Sequence, residues 1–212
     1  MTKRELAKKK AEAVILANAH RLYFAPQRVG GYVAELTREV AAELWAALSD
    51  IAYMRQNVSV ISGDADYVVV SCRIEVMADD WRVEVEDIGE AWASEFSLRR
   101  SGKTFQSEVP EETTGKEDAG MRHRMYRTAT TRAIKRAIEL LVGDLNSLLK
   151  GLALLYGYKQ ANGKGTLKSF PPETAPIIRS LGAGEIGITE AIKGLSAIVN
   201  NGQNVKGHAS EA

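Results

Sequence analysis

Six basic residues, Arg122, Arg124, Arg127, Arg132, Lys135 and Arg136, fall within fifteen positions that contain no acid, and the next acid is Glu139. A solvated helix ordinarily mixes its signs, because each i,i+4 acid–base pair stabilises it by roughly 0.2–0.5 kcal/mol. This stretch forgoes those pairs, so its natural complement is a polyanion. The chemistry available is the neutralisation of phosphates by Lys and Arg, which supplies most of sequence-independent nucleic-acid affinity. Further cations that could join such a surface are Arg73 in a β-branched run and Arg99, Arg100 and Lys103 in a polar segment. Tyr126, Phe105 and Trp92 are the aromatic side chains available for stacking on bases, a contact worth roughly 1–3 kcal/mol per base.

Other chemistries are poorly provided for. His20, His123 and His208 are far apart in sequence and have no metal-ligand spacing. Gly102-Lys103-Thr104 resembles the end of a phosphate-binding loop, but the first glycine would fall at Ser97, which excludes an NTPase loop. Asp79-Asp80 reads as a hairpin turn, and Glu108, Glu111, Glu112, Glu117 and Asp118 as a solvated acidic cluster. We therefore expect no catalytic residue, no metal and no cofactor. The formal charge is +1 over 212 residues, so any affinity for nucleic acid must come from a local patch. The single cysteine, Cys72, allows no intrachain disulfide. With no signal peptide or membrane-spanning run in the sequence, it points to a reducing, cytoplasmic setting.

The elements that would position the basic residues follow from periodicity. Met121–Gly143 reads as a helix with Tyr126, Thr130, Ala133, Ile134, Ala137 and Leu141 on its apolar side; the small residues there would let a sheet come close. Before it, spacing of two predicts strands at Asn57–Ser62, Tyr67–Met77 and Trp81–Ile88, with a further one at Ala91–Leu98. Short turns between them imply an antiparallel meander. Arg99–Gly120 reads as a long polar loop. Upstream, Lys3–Tyr23 and Tyr32–Tyr53 read as helices; downstream, Leu145–Tyr156 continues or packs beside the basic helix. Glu173–Leu181 and Glu185–Asn200 predict two more short helices. The expected fold is α+β, a three- to four-stranded meander against a long basic helix, with N-terminal helices and a small C-terminal helical appendage. Its expected divisions are a core over 1–160, the appendage over 161–200 and a disordered tail over 201–212.

This order of elements, ending in Thr128-Ala129-Thr130-Thr131-Arg132-Ala133-Ile134-Lys135-Arg136-Ala137, resembles the single-strand annealing protein superfamily. That group includes the eukaryotic RAD-fifty-two recombination mediator and its phage and prokaryotic relatives. Val70–Val76 and Asp87-Ile88-Gly89-Glu90-Ala91 share in the likeness, which covers about Val58 to Leu149. Glu139 stands where some relatives carry a basic residue. The resemblance implies single-stranded DNA binding with little sequence preference, and ATP-independent annealing of complementary strands in recombination and repair. It implies a homo-oligomer, in some relatives a ring, with Lys135 and Arg136 on the phosphates and Arg132 beside them; Arg124, Arg127, Arg73, Arg99, Arg100 and Lys103 complete the expected set. The alternatives are a protein that protects single strands without annealing them, and a structural oligomer whose basic helix pairs with a neighbour's acidic loop.

Overall fold

β-branched residues recur through Val58–Ile61, Val68–Val76 and Val83–Ile88, and there, between Tyr53 and Trp92, the chain folds into three long antiparallel strands joined by tight turns. The computed structural model describes residues 1–99, 116–143 and 145–207. In chain order its elements are α1 (Lys3–Ala17), β1 (Tyr23–Pro26), β2 (Tyr32–Glu35), α2 (Arg38–Ser49), β3 (Tyr53–Gly63), β4 (Tyr67–Ala78), β5 (Trp81–Trp92), α3 (Ser94–Arg99), α4 (Lys116–Val142), α5 (Leu145–Ala161), α6 (Ala175–Ala183) and α7 (Ile188–Gly207). The fold is α+β. Two compact units divide it: a sheet unit, Tyr53–Leu141, and a helical unit made of Met1–Ala52 with Val142–Ala212.

In the sheet unit the strand order is β3-β4-β5. Val68, Val70, Cys72, Ile74 and Val76 are all buried along one face of β4. On the opposite face stand Tyr67, Val69, Ser71, Arg73 and Glu75, as the two-residue repeat requires. Asp79-Asp80 forms the turn between β4 and β5, with Ala78 opposite Trp81. At the other hairpin Asp64 Oδ1 accepts from the backbone N–H of Asp66 (2.7 Å) and Tyr67 (3.1 Å) and so sets the turn. The register slips between Val60 and Ser62, a bulge near the end of β3.

Gly89 lies on the same face as the buried β4 residues, opposite Val70. A Cβ there would run into the Ala129 carbonyl and the Ala133 backbone nitrogen, and would come within 2.9 Å of Arg132 Cβ. The basic helix α4 therefore crosses β5 at backbone contact, which only glycine below and alanine above permit. Met125, Ala129, Ala133 and Ala137 form the fully buried seam. Of the expected apolar side Ala133, Ala137 and Leu141 are buried, whereas Tyr126 is exposed and Thr130 and Ile134 are only partly covered.

The helical unit holds the main departures from the expected elements. The helix expected over Lys3–Tyr23 stops at Ala17, where the Asn18 side chain turns back to the Val14 carbonyl (3.0 Å) and also meets Glu43 (2.7 Å). The next segment makes the hairpin β1–β2, Phe24 opposite Ala34, around Gly30 and Gly31 at φ 89° and 84°. The helix expected over Tyr32–Tyr53 begins only after Thr37, whose hydroxyl accepts from Val40 N–H (3.3 Å). Val33 and Leu36 had matched its helical spacing while belonging to a strand and its exit. Phe24 stacks on Tyr156 of α5 with ring centres 4.1 Å apart, and Tyr32 meets the same ring edge-on. Downstream, α5 and α6 touch through Gly151 against the Ile178 carbonyl and Gly182 against the Ser147 carbonyl. The boundary expected at 160 thus falls inside the helical unit, and α7 runs into the segment expected as a tail.

The fourth strand expected over Ala91–Leu98 is a correction. β5 continues through Gly89 to Trp92, and the chain then turns into α3, so the meander has three strands. Likewise α4 starts at Lys116, five residues before the expected Met121. Most of the expected loop, 100–115, lies outside the described residues.

Candidate nucleic-acid interface

The residues of α4 sort into three rows by their angle about the helix axis, at 100° per residue. The seam of Met125, Ala129, Ala133 and Ala137 faces the sheet. Thr128, Arg132 and Arg136 form a row on one flank. Arg132 Nη1 donates to the Glu90 carbonyl (2.5 Å) and to Glu95 Oε1 (2.9 Å), and its Nη2 donates to Glu95 Oε2 (2.5 Å). Arg136 Nη1 donates to the Ile88 carbonyl (2.9 Å). Ile88 and Glu90 alternate on β5, so both guanidinium groups close the outer edge of that strand. This flank is a clip between helix and sheet.

The outer row is different. Arg124, Arg127, Thr131 and Lys135 fall within an arc of about 80° and span about 16 Å along the axis. Arg124 and Arg127 are exposed and Lys135 is half-buried. Among the described residues none of these three cations has an ion pair or a side-chain hydrogen bond. Thr131 turns its hydroxyl back to the Arg127 carbonyl (2.8 Å). Tyr126, 40% exposed, stands on the flank turned away from the β5 edge, about 100° round the helix from Arg127 and on the far side from Arg124 and Lys135; Arg122, one turn before it, is exposed. Thr130 follows on that flank, and its buried Oγ1 has no hydrogen-bond partner.

The remaining expected residues scatter. Arg73 lies on the sheet face opposite α4, paired with Glu86 (3.1 Å) and Glu84 (3.4 Å). The hydrogen bond to Glu86, and then the charges of Glu84 and Glu86, push the Arg73 guanidinium above its ordinary range. Glu86 is held below the usual carboxylate range by a short hydrogen bond from Ser71 and then by Arg73. Arg73 is therefore not part of the α4 surface. Trp92 is exposed on this same opposite face and leans on Tyr67, with ring centres 5.3 Å apart. Arg99 closes α3 by its backbone; its side chain, together with Arg100, Lys103 and Phe105, lies outside the described residues.

The structure thus divides residues that the sequence had grouped. Arg132 and Arg136 are engaged with the β5 carbonyls and, for Arg132, with Glu95, while Arg124, Arg127 and Lys135 have no ion pair among the described residues. The four-residue spacing of Arg132 and Arg136 was the signal that they share a flank. Glu95 and the β5 carbonyls, which fix what that flank does, had no such mark in the sequence. Among the described residues no cluster of His, Cys, Asp or Glu could hold a metal ion, and no helix is long and apolar enough to cross a membrane. No protein-family model matches the chain, and no curated protein matches it.

Proposed function

We propose that this protein binds single-stranded DNA without sequence preference along the outer row of α4, and pairs complementary strands without ATP. The observation that carries the reading is the set of cations, Arg124, Arg127 and Lys135, that lie along one rigid helix and have no ion pair among the described residues, with Tyr126 exposed on the helix flank next to Arg127. Phosphates occupy the row, and Tyr126 offers a ring to a base at one side. A helix pinned by its seam and clip holds these charges at fixed spacing, so little ordering entropy is lost on binding. Annealing follows when phosphates are held and base edges stay outward, free to test a second strand. The likeness of the Thr128–Ala137 pattern to the single-strand annealing superfamily supports the same reading, as does its expectation of a homo-oligomer.

The test is fluorescence anisotropy of labelled oligo-dT over a salt series, with wild type and the Arg124→Ala/Arg127→Ala/Lys135→Ala variant. Salt-sensitive binding by wild type that the variant loses, followed by ATP-independent annealing of complementary oligonucleotides, supports the reading. No binding at low salt sinks it.

A further inference from the structure

The two edges of the meander are not equivalent. Arg132 and Arg136 reach the outer carbonyls of β5, and α3 follows directly at its end. The opposite edge, β3, has no such closure. Between Arg55 and Gly63 no backbone hydrogen bond from outside the sheet reaches β3 among the described residues. Natural sheets protect an edge with charge, proline or a short strand, because unpaired N–H and C=O groups recruit another strand. β3 is eleven residues long, has no proline, and carries one charge, Arg55. Its apolar side chains are uncovered: Val60 is 54% exposed and Ile61 57%.

We propose that β3 pairs antiparallel with β3 of a second copy of this chain, about a two-fold axis at Val58, giving a continuous six-stranded sheet. The strand is self-complementary in that register. Val58 meets its own equivalent, Gln56 faces Val60, Asn57 faces Ser59 and Arg55 faces Ile61, so no like charges are opposed. β-branched pairs of the Val58 kind favour such pairing, and Val60 of each copy lies near Val58 of the other. The closed β5 edge explains why the partner is another β3: pairing β3 to β5 would require the Arg132 and Arg136 contacts to be broken. A two-fold contact is isologous and closes on itself. It also places both α4 helices on the same face, with axes about 24 Å apart where they cross the two β5 strands, five spacings of about 4.8 Å. The pairing does not depend on the nucleic-acid reading.

The test uses the full chain with Cys72→Ser, so that introduced thiols report alone. Asn57→Cys and Ser59→Cys both point away from the α4 face. Mixed and oxidised, these two proteins should cross-link to each other several-fold faster than either does to itself. Light scattering on the unmodified chain should give a dimer mass. Val60→Lys/Ile61→Lys, at two exposed positions and therefore compatible with folding by circular dichroism, should give a monomer. A monomeric unmodified chain overturns the proposal, as does an assembly whose mass survives Val60→Lys/Ile61→Lys. Cross-linking no faster in the mixture than alone overturns the register and with it the Val58 axis.

Discussion

Glu95 holds Arg132 with both carboxylate oxygens while the same guanidinium reaches the Glu90 carbonyl. One arginine thus ties α4, the edge of β5 and the start of α3 together. Arginine suits this work because its planar fork satisfies a carboxylate and still has a donor left.

That arrangement separates stability from binding. Arg132→Ala should cost about 1 kcal/mol in urea unfolding, the low end for charged hydrogen bonds because both side chains are about a third exposed. Arg132→Lys should recover only part of it. Lys135→Ala should stay within about 0.5 kcal/mol of wild type. Equal losses in both would remove the distinction between clip and outer row.

On the outer row the expected effects are electrostatic. Each of Arg124→Ala, Arg127→Ala and Lys135→Ala should weaken oligo-dT binding and lower the slope of log K against log salt by about 0.7, the value for one single-strand phosphate contact. The melting temperature should not move. A slope unchanged in all three variants argues that the phosphates lie elsewhere.

Tyr126 should act through its ring. Tyr126→Leu keeps an apolar side chain and is expected to lose about 1–2 kcal/mol of affinity, roughly five- to thirtyfold, while Tyr126→Phe should bind nearly as wild type. The measurement is anisotropy at one salt concentration. Loss in the Phe variant would point to the hydroxyl instead.

Gly89→Ala tests the close crossing. The added methyl meets the α4 backbone at Ala129 and Ala133, which cannot rotate away as a side chain could. We expect a loss of about 2–3 kcal/mol or more, towards the upper end for overpacking, and weakened binding because the outer row shifts with the helix. A fully stable Gly89→Ala protein would mean that α4 sits further from β5 than described.

Much of this sheet unit was legible in the sequence. The meander showed because Tyr67–Met77 is rich in β-branched residues and Trp81–Ile88 alternates, and α4 showed because nothing between Met121 and Val142 interrupts a helix. What stayed hidden depended on tertiary partners. Nothing in the sequence marked Gly89 as a contact point, since only the helix above it reveals the need for a missing side chain. Val33 and Leu36 fell at helical spacing by coincidence, and the hairpin they belong to is held by Phe24 and Tyr32 against Tyr156, far along the chain. On α4 the small residues Ala133 and Ala137 were legible as the buried side, whereas Tyr126, Thr130 and Ile134 fall on the same arc and only the position of the sheet decides that they are left partly open.

Cys72 offers a check on the interior beneath α4. It is fully buried, and burial, then the charge of Glu86, push its thiol up to about 11 from an ordinary 9. At pH 8 it should react with a thiol reagent at least a hundredfold more slowly in the native protein than in urea. The sign for stability follows. The unfolded thiol ionises near pH 9 while the folded one keeps its proton to about pH 11, so stability is full below pH 9 and falls across that interval. Cys72→Ala should flatten the alkaline arm of the stability profile.

The sheet unit is continuous in sequence, whereas the helical unit is assembled from segments on either side of it. During synthesis β3, β4, β5 and α4 are complete as soon as Leu141 has emerged. The N-terminal segments must wait: counted from Ala52, Tyr156 for Phe24 arrives 104 residues later and Arg179 for Glu12 127 residues later. At roughly 5–20 residues per second the wait is about 5–25 s. Through that interval Ile15, Leu16, Leu44 and Leu48 have each other but not α5 or α6, so the nascent chain carries half a hydrophobic core. The N-terminal segments therefore wait longest for their partners during synthesis, whereas the partners of the sheet unit all lie within one continuous stretch.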